Sequence, residues 1–162
     1  RRLLTVSTMQ PFPHSYDVQL AAGATGHAVL SGVDLPELLV AAPPEYDGPG
    51  GAWSPEHLLI AAVESCLLLT WRARARHAGL AYVSLDVHGR GVVDRTDGVT
   101  RFTEIVLHAC LVVPPETDRE RALKVLERSE QTCLVSASLL TPVRLVPEII
   151  VGVEDASRVV PV

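Results

Sequence analysis

The sequence predicts an α+β fold in which antiparallel sheets wrap around one long, buried central helix. Three observations carry this. From Leu58 to Thr70 nearly every residue is apolar or small, behind a Ser-Pro-Glu start, and a helix that is apolar on most sides is buried on most sides. Tyr82–Val93 alternates apolar and polar residues, the period of a half-buried strand, and Arg101–Val113, with Phe102, Ile105, Leu107 and Cys110 among its apolar positions, reads as its partner strand. Clusters of Gly, Pro and Asp separate these segments and supply the turns.

Taken in order, residues 14–23 and 26–30 read as two short strands around a Gly-containing turn, and residues 36–40 add a third short extended piece. Pro43–Trp53 is too rich in Pro and Gly for regular structure. The central helix then starts abruptly. Ser54 suits the N-cap, Pro55 the first helical position, and Glu56 places negative charge in the first turn. Gly79 supplies the stop, so the helix spans about Pro55–Ala78 with Cys66 near its middle. The strand pair follows, joined by the turn signal Asp94–Gly98, and Pro114–Pro115 end it. Thr117 and Glu120 form a capping box for a second helix running to about Glu130, and Ala122, Leu123, Val125 and Leu126 give it an apolar stripe. CLVSASLL, headed by Cys133, is one or two helical turns. Val143–Val151 is the last strand.

The 162 residues suit a single domain over residues 1–162, with 1–13 expected as a flexible or processed end. The composition is 48% hydrophobic with a mean hydropathy of +0.25. A chain of this size buries only about 70% of its unfolded surface, so the apolar excess hints at a face hidden in a second subunit. Net charge is −5 and aromatic content 4%, which argues against a nucleic-acid partner. The densest basic stretch, Arg72, Arg74 and Arg76, reads as the solvated C-terminal end of a helix. The longest apolar run is interrupted by Glu64 and is too short to span a membrane, and the N-terminus lacks the apolar core of a signal peptide. Three dispersed cysteines do not make a secreted disulfide framework, so a reducing cytoplasm is the expected setting.

Taken singly, the candidate residues are open to two readings. Cys66 reads first as a small hydrophobe in the core, and Cys110 in its strand more so. Cys133 is balanced between inert and reactive, because it begins a new helical turn, where a thiolate is stabilised, beside Thr132, Ser136 and Ser138. Glu64 within an apolar helix reads as facing a solvent gap rather than serving Cys66. The histidines at 14, 27, 57, 77, 88 and 108 show no metal-ligand spacing, so neither metal nor cofactor is expected.

Two segments change this balance. GGAWSPEHLLIAAVESCLLLTWRARARHAGL resembles the central helix of the OsmC/Ohr family of thiol peroxidases, which follows a Gly-rich loop, opens with Pro-Glu and carries its first cysteine ten residues after the Glu. Pro55, Glu56 and Cys66 match those positions. SEQTCLVSASL resembles the second family motif and places its cysteine at Cys133. The order of elements agrees from about Tyr16 to Val151. The resemblance implies an OsmC-like fold, an intertwined homodimer, and a peroxiredoxin-like hydroperoxide reductase of the oxidative stress response. In it Cys66 attacks the peroxide and becomes a sulfenic acid, and Cys133 resolves this to a disulfide. A dithiol, either a small molecule or a lipoyl-type protein, then reopens it. Glu56 joins the site, and apolar neighbours such as Leu59 and Leu67 point to organic, lipid-type hydroperoxides.

One departure stands out. The family's N-terminal arginine, held by the helix-start Glu, has no counterpart in GATGHAV, residues 23–29. Its place falls at about Ala24. His27 is the nearest candidate cation, with Arg101 as an alternative from elsewhere in the chain, and Glu56 then needs a new partner in His57 or His27. Without such a cation, the alternative function is a non-catalytic OsmC-like dimer that binds a small lipophilic ligand.

Overall fold

The structure is a computed structural model, and it describes residues 10–152. The terminal expectation for residues 1–13 therefore falls largely on residues 1–9, outside the described residues, as does the tail after Asp155; residues 10–13 contain no helix or strand. The described residues form two compact units that divide after Pro55.

The first unit contains a three-stranded antiparallel sheet of β1 (Gln19–Ala21), β2 (Ala28–Ser31) and β3 (Leu38–Val40) in that order. Leu20 pairs with Leu30, and Leu30 with Leu38. These strands are shorter than their sequence patterns suggest, and Val18, Leu20 and Leu39 are exposed. The Pro/Gly-rich loop contains one 3₁₀ turn, Pro44–Tyr46. It returns to the sheet through Ala41 N donating to Trp53 O and Trp53 N to Leu39 O, at 3.0 and 3.1 Å.

The second unit begins within helix α1 (Pro55–Ala78), whose limits are those the Ser-Pro-Glu start and Gly79 predict. Gly79 has φ +63°. Its amide donates to Arg76 O and that of Leu80 to Ala75 O, the paired bonds of a left-handed helix stop in which glycine carries no Cβ penalty. β4 (Ser84–Thr96) and β5 (Val99–Val113) then form a long antiparallel hairpin. Its two-residue turn, Asp97–Gly98, has both residues at positive φ, the twist-matched arrangement for such loops. β6 (Val143–Val151) pairs with β5 in parallel, so the sheet β4–β5–β6 is mixed.

Between β5 and β6 lie α2 (Arg119–Gln131) and the single turn α3 (Leu134–Ala137). The N-cap of α2 is Asp118, which accepts from the Arg121 amide at 3.0 Å, not Thr117 as the capping-box spacing suggests. Thr117 instead donates to Ala81 O; a hydroxyl one residue too early finds the chain that leaves α1.

The core lies on one face of this sheet. Ile105, Leu107, Ala109, Leu111 and Val113 alternate inward along β5 and meet Val63, Leu67, Trp71 and Ala75 of α1 and Ala122 and Leu126 of α2. The α1 residues follow a four-residue spacing and form one stripe. Other apolar positions of α1 are less covered, and Leu69 is 59% exposed. Glu64 does not face a solvent gap: its Oε1 accepts the amide of Gly89 in β4, an edge strand of its sheet. A carboxylate that takes an edge amide satisfies both groups. The helix can come this close because of two glycines. A Cβ at Gly89 would lie 2.7 Å from both Glu64 Oε1 and Ile60, and one at Gly91 2.6 Å from Phe102 and 2.7 Å from Ile60. Gly89→Ala is therefore expected to destabilise the protein by about 1–3 kcal/mol, seen as a lower urea midpoint, whereas Arg90→Ala on the exposed face stays within about 0.5 kcal/mol.

Candidate active site

Cys66 lies one position before Leu67, about 100° around the helix from the core stripe. That offset leaves it half-buried while Leu67 turns fully into the core. Leu67 is thus a packing residue of the core, and Leu59 is half-buried.

Cys133 sits in the junction between α2 and α3 and is completely buried. Its backbone is fixed from both sides. Its amide donates to Glu130 O, and its carbonyl accepts from the Ala137 amide, each at 2.9 Å. The structure brings the two cysteines together: the Cys133 thiol lies within hydrogen-bonding reach of Cys66, and neither is in a disulfide.

Arg74 holds this junction against α1. Its Nε and Nη2 donate to Thr132 Oγ1 at 3.1 and 2.8 Å, and Thr132 in turn donates to Arg128 O at 2.8 Å. At the opposite end of α2, Arg121 donates to Ala78 O at 2.6 Å. Arg74 is therefore not merely a solvated helix-end charge. Cys66, Thr70 and Arg74 stand four residues apart on one side of α1, and that spacing could have marked Arg74 as a neighbour of the thiol pair.

Of the small polar residues near Cys133, Ser138 donates to Leu134 O and Thr132 is occupied as described. Ser136 is the one that faces the sulfur. Its hydroxyl and amide act on the thiol electrostatically, although no cap hydrogen bond closes on Cys133 and the buried hydroxyl oxygen closes none of good geometry with any group.

Burial pushes the Cys133 thiol above its ordinary value of 9.0, its contact with Cys66 pushes the same way, and Ser136 pulls it back. The helix-start stabilisation expected from sequence is outweighed, because α3 is a single turn and the sulfur is out of water. No cation is among these influences. Arg101 is exposed on the hairpin, opposite Asp94. His27 is exposed immediately before β2 in the first unit. Glu56 opens α1 about 15 Å along the axis from Cys66; its Oε2 is buried and has no hydrogen-bond partner among the described residues. Cys110 lies in β5 between Asp86 and Glu148 of the neighbouring strands. Among the described residues no group of three or more His, Cys, Asp or Glu is placed to hold a metal ion, and no helix is long and apolar enough to cross a membrane.

The model of the OsmC-like protein family matches residues 48–148, which include both cysteines. The chain belongs to the OsmC-like family. The uncharacterized protein YmaD of Bacillus subtilis (strain 168) is 27% identical to this OsmC-like chain over 109 residues, 65% of this chain and 73% of YmaD. An OsmC-like protein of unknown function from Vibrio cholerae O1 biovar eltor str. N16961 superposes with a TM-score of 0.75 at 17% identity, covering 85% of this chain and all of the other. An organic hydroperoxide resistance protein from Elizabethkingia anophelis gives 0.70 at 16% identity, with 88% and 100% covered. A Legionella pneumophila protein of that description gives 0.68 at 20%, with 87% and 100% covered. These likenesses establish the OsmC-like α+β fold.

The raised Cys133 value has a consequence for stability. Between the ordinary thiol range and the raised folded value, the unfolded chain has lost its proton while the folded chain keeps it, so stability falls as pH rises. The reduced protein is expected to lose stability from about pH 9 upward, and Cys133→Ser to flatten that slope, as read from urea midpoints between pH 8 and 10.5.

Proposed function

We propose that this OsmC-like chain is a cysteine-dependent thiol peroxidase acting on organic hydroperoxides. The observation that carries the reading is a pair of reduced thiols from distant segments, in contact, one half-exposed and one fully buried. The difference in access orders the steps. The Cys66 thiolate attacks the peroxide oxygen, the O–O bond breaks, an alcohol leaves with one proton, and Cys66 becomes a sulfenic acid. Cys133 then displaces the hydroxyl from the Cys66 sulfur, giving a disulfide and water. A dithiol returns two electrons and two protons. The names of the Elizabethkingia and Legionella relatives support an organic hydroperoxide as substrate. The cytoplasm, where such dithiols are kept reduced, is the setting this chemistry needs.

The functional unit of this proposal is a homodimer. Leu69 on α1, Leu134 on α3 and Leu140 are 59%, 70% and 105% exposed, and Val18, Leu20 and Leu39 of the first unit 71%, 61% and 55%. Such apolar exposure fits a covered face. Leu69→Glu is expected to shift the species seen by light scattering from dimer towards monomer.

A second reading, a dimer that binds a lipophilic molecule without turnover, draws on one specific feature: the buried oxygen of Glu56, which has no hydrogen-bond partner among the described residues. One experiment separates the two. Titration of the reduced protein with cumene hydroperoxide is expected to produce a Cys66–Cys133 disulfide in the mass spectrum and dithiol-dependent consumption of peroxide. Cys66→Ser should abolish consumption, and Cys133→Ser should stop after one equivalent and over-oxidise Cys66. Thiol oxidation that is slow and unselective at low micromolar peroxide supports ligand binding instead.

A further inference from the structure

We propose that the Ser136 hydroxyl passes the Cys133 proton to and from the Glu130 carboxylate, so that Ser136 and Glu130 set the rate at which the disulfide forms. The inference rests on the peroxidase reading above and concerns only its second step.

Glu130 stands three residues before Cys133 and Ser136 three residues after it. The bond from the Cys133 amide to Glu130 O, 2.9 Å, folds the junction into a turn, and α3 brings Ser136 back over the same sulfur. The Ser136 oxygen is buried without a closed hydrogen bond, yet its hydroxyl acts on both Glu130 and Cys133. A hydroxyl has one proton and two lone pairs. Placed between a carboxylate and a thiol, it can donate to the first while accepting from the second. Beside this pair is a cavity of about 280 Å³ lined by Glu130 and Ser136, with Gln131, Leu139, Leu140 and Val143 among the other walls. A polar cavity of this size has room for water, which can take up and return the proton that Glu130 carries.

The chemistry requires such a group. Cys133 is completely buried and burial holds its proton on, while only the thiolate attacks. Among the described residues, the groups that act on the Cys133 thiol are Cys66 from α1 and Ser136 from α3, and Ser136 also acts on Glu130 from α2. Of these, Cys66 is the electrophile at this stage, which leaves Glu130 as the acceptor. Burial also pushes the Glu130 carboxyl up from 4.5, with Ser136 pulling the other way, and a carboxylate with a raised value is the better base. The step then balances. The Cys133 S–H proton moves to Ser136 Oγ as the hydroxyl proton moves to Glu130. The sulfur pair attacks Cys66, the S–O bond breaks, and hydroxide leaves, to be neutralised to water by the proton that Glu130 gives up. Glu130 releases its proton to the cavity. On reduction by the dithiol the route runs backwards and reprotonates the Cys133 thiolate. Glu130 acts through Ser136 and is a positioning residue, whereas Ser136 touches a reacting atom.

Rapid-quench experiments with cumene hydroperoxide, read by thiol alkylation and mass spectrometry, separate Cys66 oxidation from disulfide formation in the same sample. Near neutral pH, Glu130→Gln and Ser136→Ala are expected to slow the second step relative to the first by about 100-fold. Ser136→Thr, which keeps the hydroxyl, should restore it. The deficit should shrink as pH rises into the range where Cys133 ionises unaided. Unchanged second-step rates, or a slowing that is the same at every pH, overturn the relay while leaving the peroxidase reading intact. Failure of the unaltered protein to form any Cys66–Cys133 disulfide overturns that reading and the relay with it. If circular dichroism shows that a variant is misfolded, the unaltered protein decides the matter in deuterated water: slower disulfide formation supports the relay, and an equal rate overturns it.

Discussion

Helix α1 lies against the second sheet closely enough for a carboxylate on its flank, Glu64, to accept a backbone amide of β4. That contact requires the absence of two side chains, at Gly89 and Gly91, where any Cβ would collide with Ile60, Glu64 or Phe102. The stripe Val63–Leu67–Trp71–Ala75 fixes the rotation of the helix through its contact with β5. Once the rotation is fixed, every other residue of α1 has an assigned direction. Leu67 is committed to the core, and Cys66, one step around, is left at its edge.

The same rotation places Arg74 on the Cys66 side, and there its guanidinium meets the end of α2. Two donors of one planar group on Thr132 Oγ1 fix both distance and orientation. Thr132 is the residue before Cys133, so an ordinary side-chain hydrogen bond becomes the device that seats the second thiol beside the first. The backbone bonds of Cys133 to Glu130 and Ala137 keep the junction from unwinding. Thiol chemistry tolerates little slack in approach, since disulfide formation needs Cβ atoms about 4 Å apart.

The electrostatics of the pair are asymmetric, and burial is the cause. Cys133 is wholly out of water, which stabilises its neutral form; Cys66 keeps partial access to solvent. A buried thiol that stays protonated until called upon suits a resolving role better than an attacking one. In the proposed relay, Ser136 and Glu130 manage that proton.

The sequence alone determined much of this. Helix α1 was legible to the residue, because Ser54-Pro55-Glu56 and Gly79 act through local backbone chemistry. β4 was legible from its period of two, β5 and β6 as apolar segments bounded by turn signals, and the pair Cys66/Cys133 from two motifs. What sequence missed was set by packing at a distance. Asp118 rather than Thr117 caps α2, because Thr117 meets the chain that leaves α1. Glu64 has a partner in an edge amide that no local pattern announces. The parallel pairing of β6 depends on how α2 and α3 return the chain. The direction of the Cys133 shift depends on burial, which a helix-start argument cannot weigh. Local signals are encoded within a few residues and survive reading in one dimension. The meeting of Cys66 with Cys133 depends on the rotation of one helix against one sheet, and only the folded chain fixes that rotation.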